Sequence, residues 1–76
     1  MSDLPAVSGK DAVKAFKKLG FIEARTTGSH VILKREGHPF LVSVPVHANK
    51  DLKPGTLRGA IGSSGFSNDQ FLAALK

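Results

Sequence analysis

Three histidines, His30, His38 and His47, are the side chains of this sequence best suited to chemistry. An unperturbed imidazole has a pKa of about 6.5, so each could give or take a proton near neutral pH. Metal chemistry has less to stand on. No two histidines lie at the short helical spacing of a zinc site. The six Asp and Glu fall mostly at expected helix ends and in loops, which argues against a magnesium site built from paired carboxylates. There is no cysteine to serve as a thiolate nucleophile, and no glycine-rich run leading into Lys and Ser/Thr that would cradle a triphosphate. What is left is proton transfer by histidine, with no metal and no cofactor.

His30 holds the most favourable position of the three. It follows Gly28 and Ser29 directly and starts an apolar strand on which it faces away from the expected core, with Arg25 and Lys34 as cationic neighbours. Nearby positive charge favours a neutral imidazole, the form that accepts a proton. The bland alternative is an exposed strand histidine with no task. His38, in Glu36-Gly37-His38-Pro39, reads as a solvated turn residue. His47 closes Val44-Pro45-Val46-His47 and, with Ser29, is a candidate auxiliary; it could equally bond to its own loop. Lys50, Lys53 and Arg58 gather at the entrance to a helix whose first amides, at Gly55 and Thr56, could dock a phosphate. A solvated charged loop accounts for the same three residues equally well.

These residues need elements to hold them. Ser8, three residues before Asp11, opens a helix with Ala12, Val13, Phe16 and Leu19 at core spacing and Lys10, Lys14, Lys17 and Lys18 on other faces. Gly20 ends that helix, and Phe21 can fold back on its last turn. Three strands follow: Phe21 to Arg25, Ser29 to Arg35 and Phe40 to Pro45, with turns at Thr26-Thr27-Gly28 and Glu36 to Pro39. Alternation directs Ile22 and Ala24, then Val31 and Leu33, then Phe40, Val42 and Val44 toward the core. It leaves Arg25, His30 and Lys34 on an open face. After a polar loop over Val46 to Lys53, Pro54 starts a second helix with Leu57, Ala60 and Ile61 inside, weakened by Gly59 and Gly62. Ser67 and Gln70 form a capping box for a last helix whose apolar face is Phe71, Leu72 and Leu75. The expected architecture is α-β-β-β-α-α, an α+β domain with helices packed on one face of a three-stranded antiparallel sheet.

Composition sets the frame for these elements. A chain of 76 residues with 41% hydrophobic content has room for one small core, and it is neither a disordered tail nor a membrane span. We expect a flexible lead over residues 1–7 and a single domain over 8–76. The first ten residues lack the basic start and apolar stretch of a signal peptide, so the expected location is the cytoplasm. Eleven Lys and Arg against six acidic residues leave a net charge of +5. An excess of that size on so small a surface favours an anionic partner such as nucleic acid, an acidic protein or membrane headgroups, although solubility alone would also explain it.

Taken in order, the motifs resemble a known family. Gly28-Ser29-His30 before an apolar strand, then Val44-Pro45-Val46-His47, then Lys50-x-Leu52-x-x-Gly55-Thr56-Leu57-Arg58, is similar to the HicA toxins of HicA–HicB toxin–antitoxin pairs. The ending, with Gly65-Phe66-Ser67 and Phe71-Leu72, is also similar, so the resemblance runs from about Ser8 to Leu75. It implies a double-stranded-RNA-binding-domain-like fold and a metal-independent endoribonuclease that cleaves mRNA. The essential histidine of such an enzyme, the one after Gly-Ser, would be His30 here. It further implies a HicB-like antitoxin over the active face. The sequence departs from the family where Gly62, Ser63 and Ser64 stand in place of helix-forming or basic residues. With this resemblance, the RNA-binding candidates are Arg25, Lys34, Lys50, Lys53 and Arg58, with the ribose 2′-OH as nucleophile. The reading from another class is a non-catalytic double-stranded-RNA-binding module, which has no reason to require His30.

Overall fold

Local backbone chemistry decides where each helix begins and ends. The computed structural model describes residues 4–47 and 50–76. Its first helix, α1 (Gly9–Lys18), is capped by Ser8, whose Oγ accepts the Asp11 N–H at 3.1 Å. It ends at Gly20, which takes a φ of +105°. There the Gly20 N–H donates to the Lys17 carbonyl and the Phe21 N–H to the Phe16 carbonyl, both at 3.1 Å, the paired bonds of a Schellman ending. The second helix, α2 (Pro54–Ser64), starts on Pro54 and stops at left-handed Gly65. The third, α3 (Asn68–Leu75), carries the full capping box of Ser67 and Gln70.

Between α1 and α2 lie strands β1 (Ile22–Thr27), β2 (His30–Lys34) and β3 (Val42–Pro45), paired antiparallel in that order. This is the expected α-β-β-β-α-α arrangement, an α+β fold consistent with the double-stranded-RNA-binding-like expectation. Leu33 on β2 and Val42 and Val44 on β3 are fully buried, and Val31 packs at the edge of the same cluster. Above them sit Val13 and Phe16 of α1, Leu57 and Ile61 of α2, and Phe71 of α3. Phenylalanines dominate the centre: the Phe16 ring lies 5.8 Å from Phe21 and 5.0 Å from Phe71, in the tilted and edge-on poses that aromatic quadrupoles prefer.

β1 departs from its expected orientation. Ile22 and Ala24 were expected inside, but every residue of β1 is exposed, Ile22 at 58%. α1 and α2 both settle over β3, and no β1 side chain joins the buried cluster, so β1 overhangs as an edge strand. Ile22 pairs with Lys34 and Glu23 with Leu33, which puts Ile22 on the open face and Glu23 on the helix side. Glu23 accordingly meets Lys17 of α1 at 2.8 Å. A β-bulge between Glu23 and Arg25 then resets the alternation, so that Arg25 pairs with Ile32 and reaches the open face after all. The hairpin turn is also one step later than expected, a two-residue link at Gly28-Ser29 with Thr27 facing His30.

Two further expectations fail at the β2–β3 connection. Phe40 was expected in the core, but β3 begins only at Val42 and Phe40 is 64% exposed. His38 was expected to be solvated. Instead its Nε2 lies 2.6 Å from the Ser63 carbonyl at the end of α2, with its ring edge-on to Phe21 and Phe40, each 5.9 Å away. A carbonyl oxygen only accepts, so the ring must carry a proton on Nε2. His38 thus ties the connection between β2 and β3 to the far end of α2.

The start of the chain is tied down as well. Within residues 4–7 Val7 is buried, Leu4 lies against the core and Pro5 and Ala6 are exposed, and the Val7 carbonyl accepts the Leu52 N–H at 2.7 Å. Residues 1–3 lie outside those described. At the first position of α1, a Cβ on Gly9 would collide with the Pro45 carbonyl and come within 2.9 Å of the Val46 Cα.

Three substitutions test this packing. Gly9→Ala should lower the unfolding free energy by about 1–3 kcal/mol, because both opposing atoms are backbone and cannot swing aside. Gly59→Ala, in a helix position with nothing near the added methyl, should raise it by about 1 kcal/mol in the same urea titration. His38→Ala should cost about 1–3 kcal/mol through the lost hydrogen bond and ring contacts. A His38→Ala melting curve that superimposes on the wild type would show that the tie to Ser63 contributes nothing.

Candidate active site

His30 is the first residue of β2, and its position depends on the turn before it. Gly28 turns the chain with a φ of +53°, a conformation that costs other residues energy. The carbonyl of half-buried Ser29 accepts the Val46 N–H, which locks the hairpin tip to the chain leaving β3. Cross-strand pairing sets Thr27 on one side of His30 and Pro45 on the other. His30 is exposed, at the hairpin end of a sheet face that no helix covers.

The same registers define the rest of that face. Arg25 sits opposite Ile32, and Ser43 lies across from Ile32 on β3. Arg25 is therefore a diagonal neighbour of His30, about 7–8 Å away by sheet geometry and within reach of a shared anion. Lys34 is four residues along the strand, roughly 13 Å from His30 by the rise of a strand, and serves the far end of the face. Glu23, the acidic residue of β1, points to the helix side. The open face carries Arg25 in its middle and, at its far end, Lys34 across from Ile22, which is 58% exposed.

Beside His30 lies a cleft of about 360 Å³ at the start of α2. Pro45, His47, Lys50, Lys53 and Thr56 line it together with Asp51 and Leu52. Pro45 is shared: it pairs with His30 on one side and walls the cleft on the other. The structure thus brings His47, Lys50 and Lys53 into one pocket next to His30, while Ala48 and Asn49 lie outside the described residues. Lys53 is the cap of α2 and gives no side-chain cap bond, and the first turn carries no acidic side chain. Among the described residues the Gly55 and Thr56 amides therefore receive no side-chain cap from Lys53, as an anion dock requires. Arg58 does not line this cleft; it is exposed one turn further along α2.

Among the described residues no group of three His, Asp or Glu side chains converges as metal ligands would, and no helix is long and apolar enough to cross a membrane. The sequence missed the grouping of His47 with the lysines around Pro45. The Val-Pro-Val-His and Lys-x-x-Lys spacings carried the parts, but only the fold of the loop joined them.

Comparison with known proteins bears on this arrangement. The family model described as the HicA toxin of bacterial toxin–antitoxin systems matches residues 9–65, from the start of α1 to the cap of α2. No curated protein matches the chain. The matched segment holds the hairpin, His30, the cleft and all of α2, so the fold and the family agree on the same stretch of chain: it belongs to the HicA toxin family of toxin–antitoxin systems.

Proposed function

We propose that this toxin is an endoribonuclease that cleaves mRNA, with His30 as its catalytic base. The observation that carries the reading is the setting of His30. It stands exposed on an uncovered cationic sheet face, with Arg25 diagonal to it and the Lys50–Lys53 cleft behind Pro45. RNA supplies its own nucleophile. His30 takes the proton of a ribose 2′-OH, the 2′-oxygen bonds to the adjacent phosphorus, and the P–O5′ bond breaks. The 5′-oxygen leaves with a proton from the imidazolium or from water, giving a 2′,3′-cyclic phosphate and a free 5′-OH. Arg25 offsets charge growing on the phosphate oxygens. The cleft and the uncapped start of α2 hold a neighbouring phosphate, with Lys34 and Arg58 as outlying contacts. His47 and the Ser29 backbone hold the geometry.

One positioned base contributes about 10²–10⁴-fold, which makes for a slow enzyme. Slow cutting is enough to deplete a message pool in the cytoplasm. Exposed Ile22 opposite Lys34, on the face that also carries Arg25, suits a HicB-like antitoxin that brings apolar and acidic groups over the face and hides His30.

The decisive experiment compares purified variants for folding, RNA binding and cutting. His30→Ala should retain its melting behaviour within about 1 kcal/mol, since it removes no buried contact. Its RNA affinity should change little, while cleavage falls by at least about a hundredfold. EDTA should leave wild-type cleavage intact. Near-wild-type cutting by His30→Ala would overturn His30 as the base, whereas a wild type that binds RNA without cutting it would leave a binding module with the same fold as the better reading. Separately, Lys50→Ala or Lys53→Ala should reduce the slope of log affinity against log salt by about 0.7–1. An unchanged slope would mean that these lysines belong to a solvated loop.

A further inference from the structure

α1 carries a second basic surface. Lys10, Lys14 and Lys17 recur at the spacing of one helix stripe, with Lys18 beside it, opposite the buried Ala12, Val13, Ala15 and Phe16. Two of the four lysines have structural work. Lys17 pairs with Glu23 at 2.8 Å, and the Lys18 Nζ donates to the Lys76 carbonyl at 2.7 Å. Lys10 and Lys14 have no hydrogen bond or ion pair among the described residues.

Helix stability does not explain these two. Lys10 is the second residue of α1, at the positive end of the helix dipole, where a cation is disfavoured. Lys14 lies four residues from both Lys10 and Lys18 and three from Lys17, like-charge spacings that weaken a helix. Both residues also border a groove of about 250 Å³ that they share with Val13, Val31, Val46 and the Lys17–Glu23 pair, in which Lys17 offsets the one carboxylate. Val31 follows His30 on β2 but faces the helix side of the sheet, and the Val46 N–H is bonded to the Ser29 carbonyl at the hairpin tip. Gly9, immediately before Lys10, is pressed against the Pro45 carbonyl. The end of β3 is therefore a ridge with His30 paired to it. The cleft of Lys50 and Lys53 and the groove of Lys10 and Lys14 both reach this end of β3, the first at Pro45 and the second at Val46.

We infer that Lys10 and Lys14 bind backbone phosphates of the RNA strand, so that the grip on the substrate extends from His30 past the end of β3 to the start of α1. The inference rests on the RNA-cleaving reading above and extends its binding surface to α1. A strand held at a second point beyond the cleft keeps less freedom at His30, which favours the in-line alignment its own 2′-oxygen needs for attack. Charge in excess of what the fold needs then has a use, and the unfavourable lysine at the start of α1 is accounted for.

The test uses a single-stranded RNA oligonucleotide methylated at every 2′-oxygen, which has no 2′-OH to attack and so reports binding alone. Fluorescence anisotropy from about 50 to 200 mM salt should give a log–log slope about 1.4 smaller for the double variant Lys10→Gln/Lys14→Gln than for the wild type, at 0.7 per phosphate contact on a single strand. Its melting temperature should not fall. The double variant Lys10→Arg/Lys14→Arg should keep the wild-type slope. An unchanged slope in the glutamine variant overturns the inference and leaves the RNA reading standing. So does a slope loss that the arginine variant shares, because it would indicate disturbed structure rather than lost charge. No binding by the wild type overturns the RNA reading itself, and this inference with it.

Discussion

The backbone of α1 reaches the backbone of β3 at Gly9, and much else follows from how closely they meet. With no side chain at Gly9, the Pro45 carbonyl lies where a Cβ would be, so the helix starts directly on the end of the sheet. That contact fixes three things together. It places the start of α1 beside the hairpin tip, because Pro45 pairs with His30. It sends the chain after Val46 past the Val7 segment, where the Leu52 N–H is captured by the Val7 carbonyl at 2.7 Å. It also determines where α2 can begin. A methyl group at position 9 would push these parts away from one another, and the basic surfaces around His30 would separate with them.

A chain of this length has enough helix to cover one side of its sheet and no more. α1 and α2 are spent on β3, which leaves β1 overhanging and the opposite face entirely open. On the open face His30 and Arg25 are accessible without any cleft having to open. The same economy leaves Ile22, Phe40 and Leu41 in water. Apolar side chains so placed are a liability for a free monomer and an opportunity for a partner, which fits a family defined by pairing with an antitoxin.

His38 and the phenylalanines stiffen the side of the domain away from the chemistry. Phe71, Phe16, Phe21 and His38 form a run of ring contacts from α3 to the β2–β3 connection. Arg35 adds a cation–π contact, its guanidinium 5.0 Å from the Phe66 ring. α2 contains Gly55, Gly59 and Gly62 and has weak intrinsic helicity, so its hold on the body of the domain comes from buried Leu57, Ala60 and Ile61 together with the His38 bond to Ser63.

What was legible in the residues alone is what a few neighbouring backbone groups decide. The Ser8 cap, the Gly20 ending, Pro54 at the start of α2 and the Ser67–Gln70 box are bonds closed within three to five residues, and each stands as expected. The alternation of β2 was equally local and placed His30 on the open face. What the sequence could not decide was which face of an edge strand is covered, since that depends on where the helices come to rest. Ile22 and Ala24 therefore turned outward, and a bulge, not simple alternation, delivered Arg25 to its place. The partner of His38 is a carbonyl 25 residues away, and His47 joins Lys50 and Lys53 only because Pro45 is shared between strand and cleft. Short-range hydrogen bonds belong to the sequence, whereas burial and the meeting of distant charges belong to the way a small helical layer, too narrow for three strands, was set down over two.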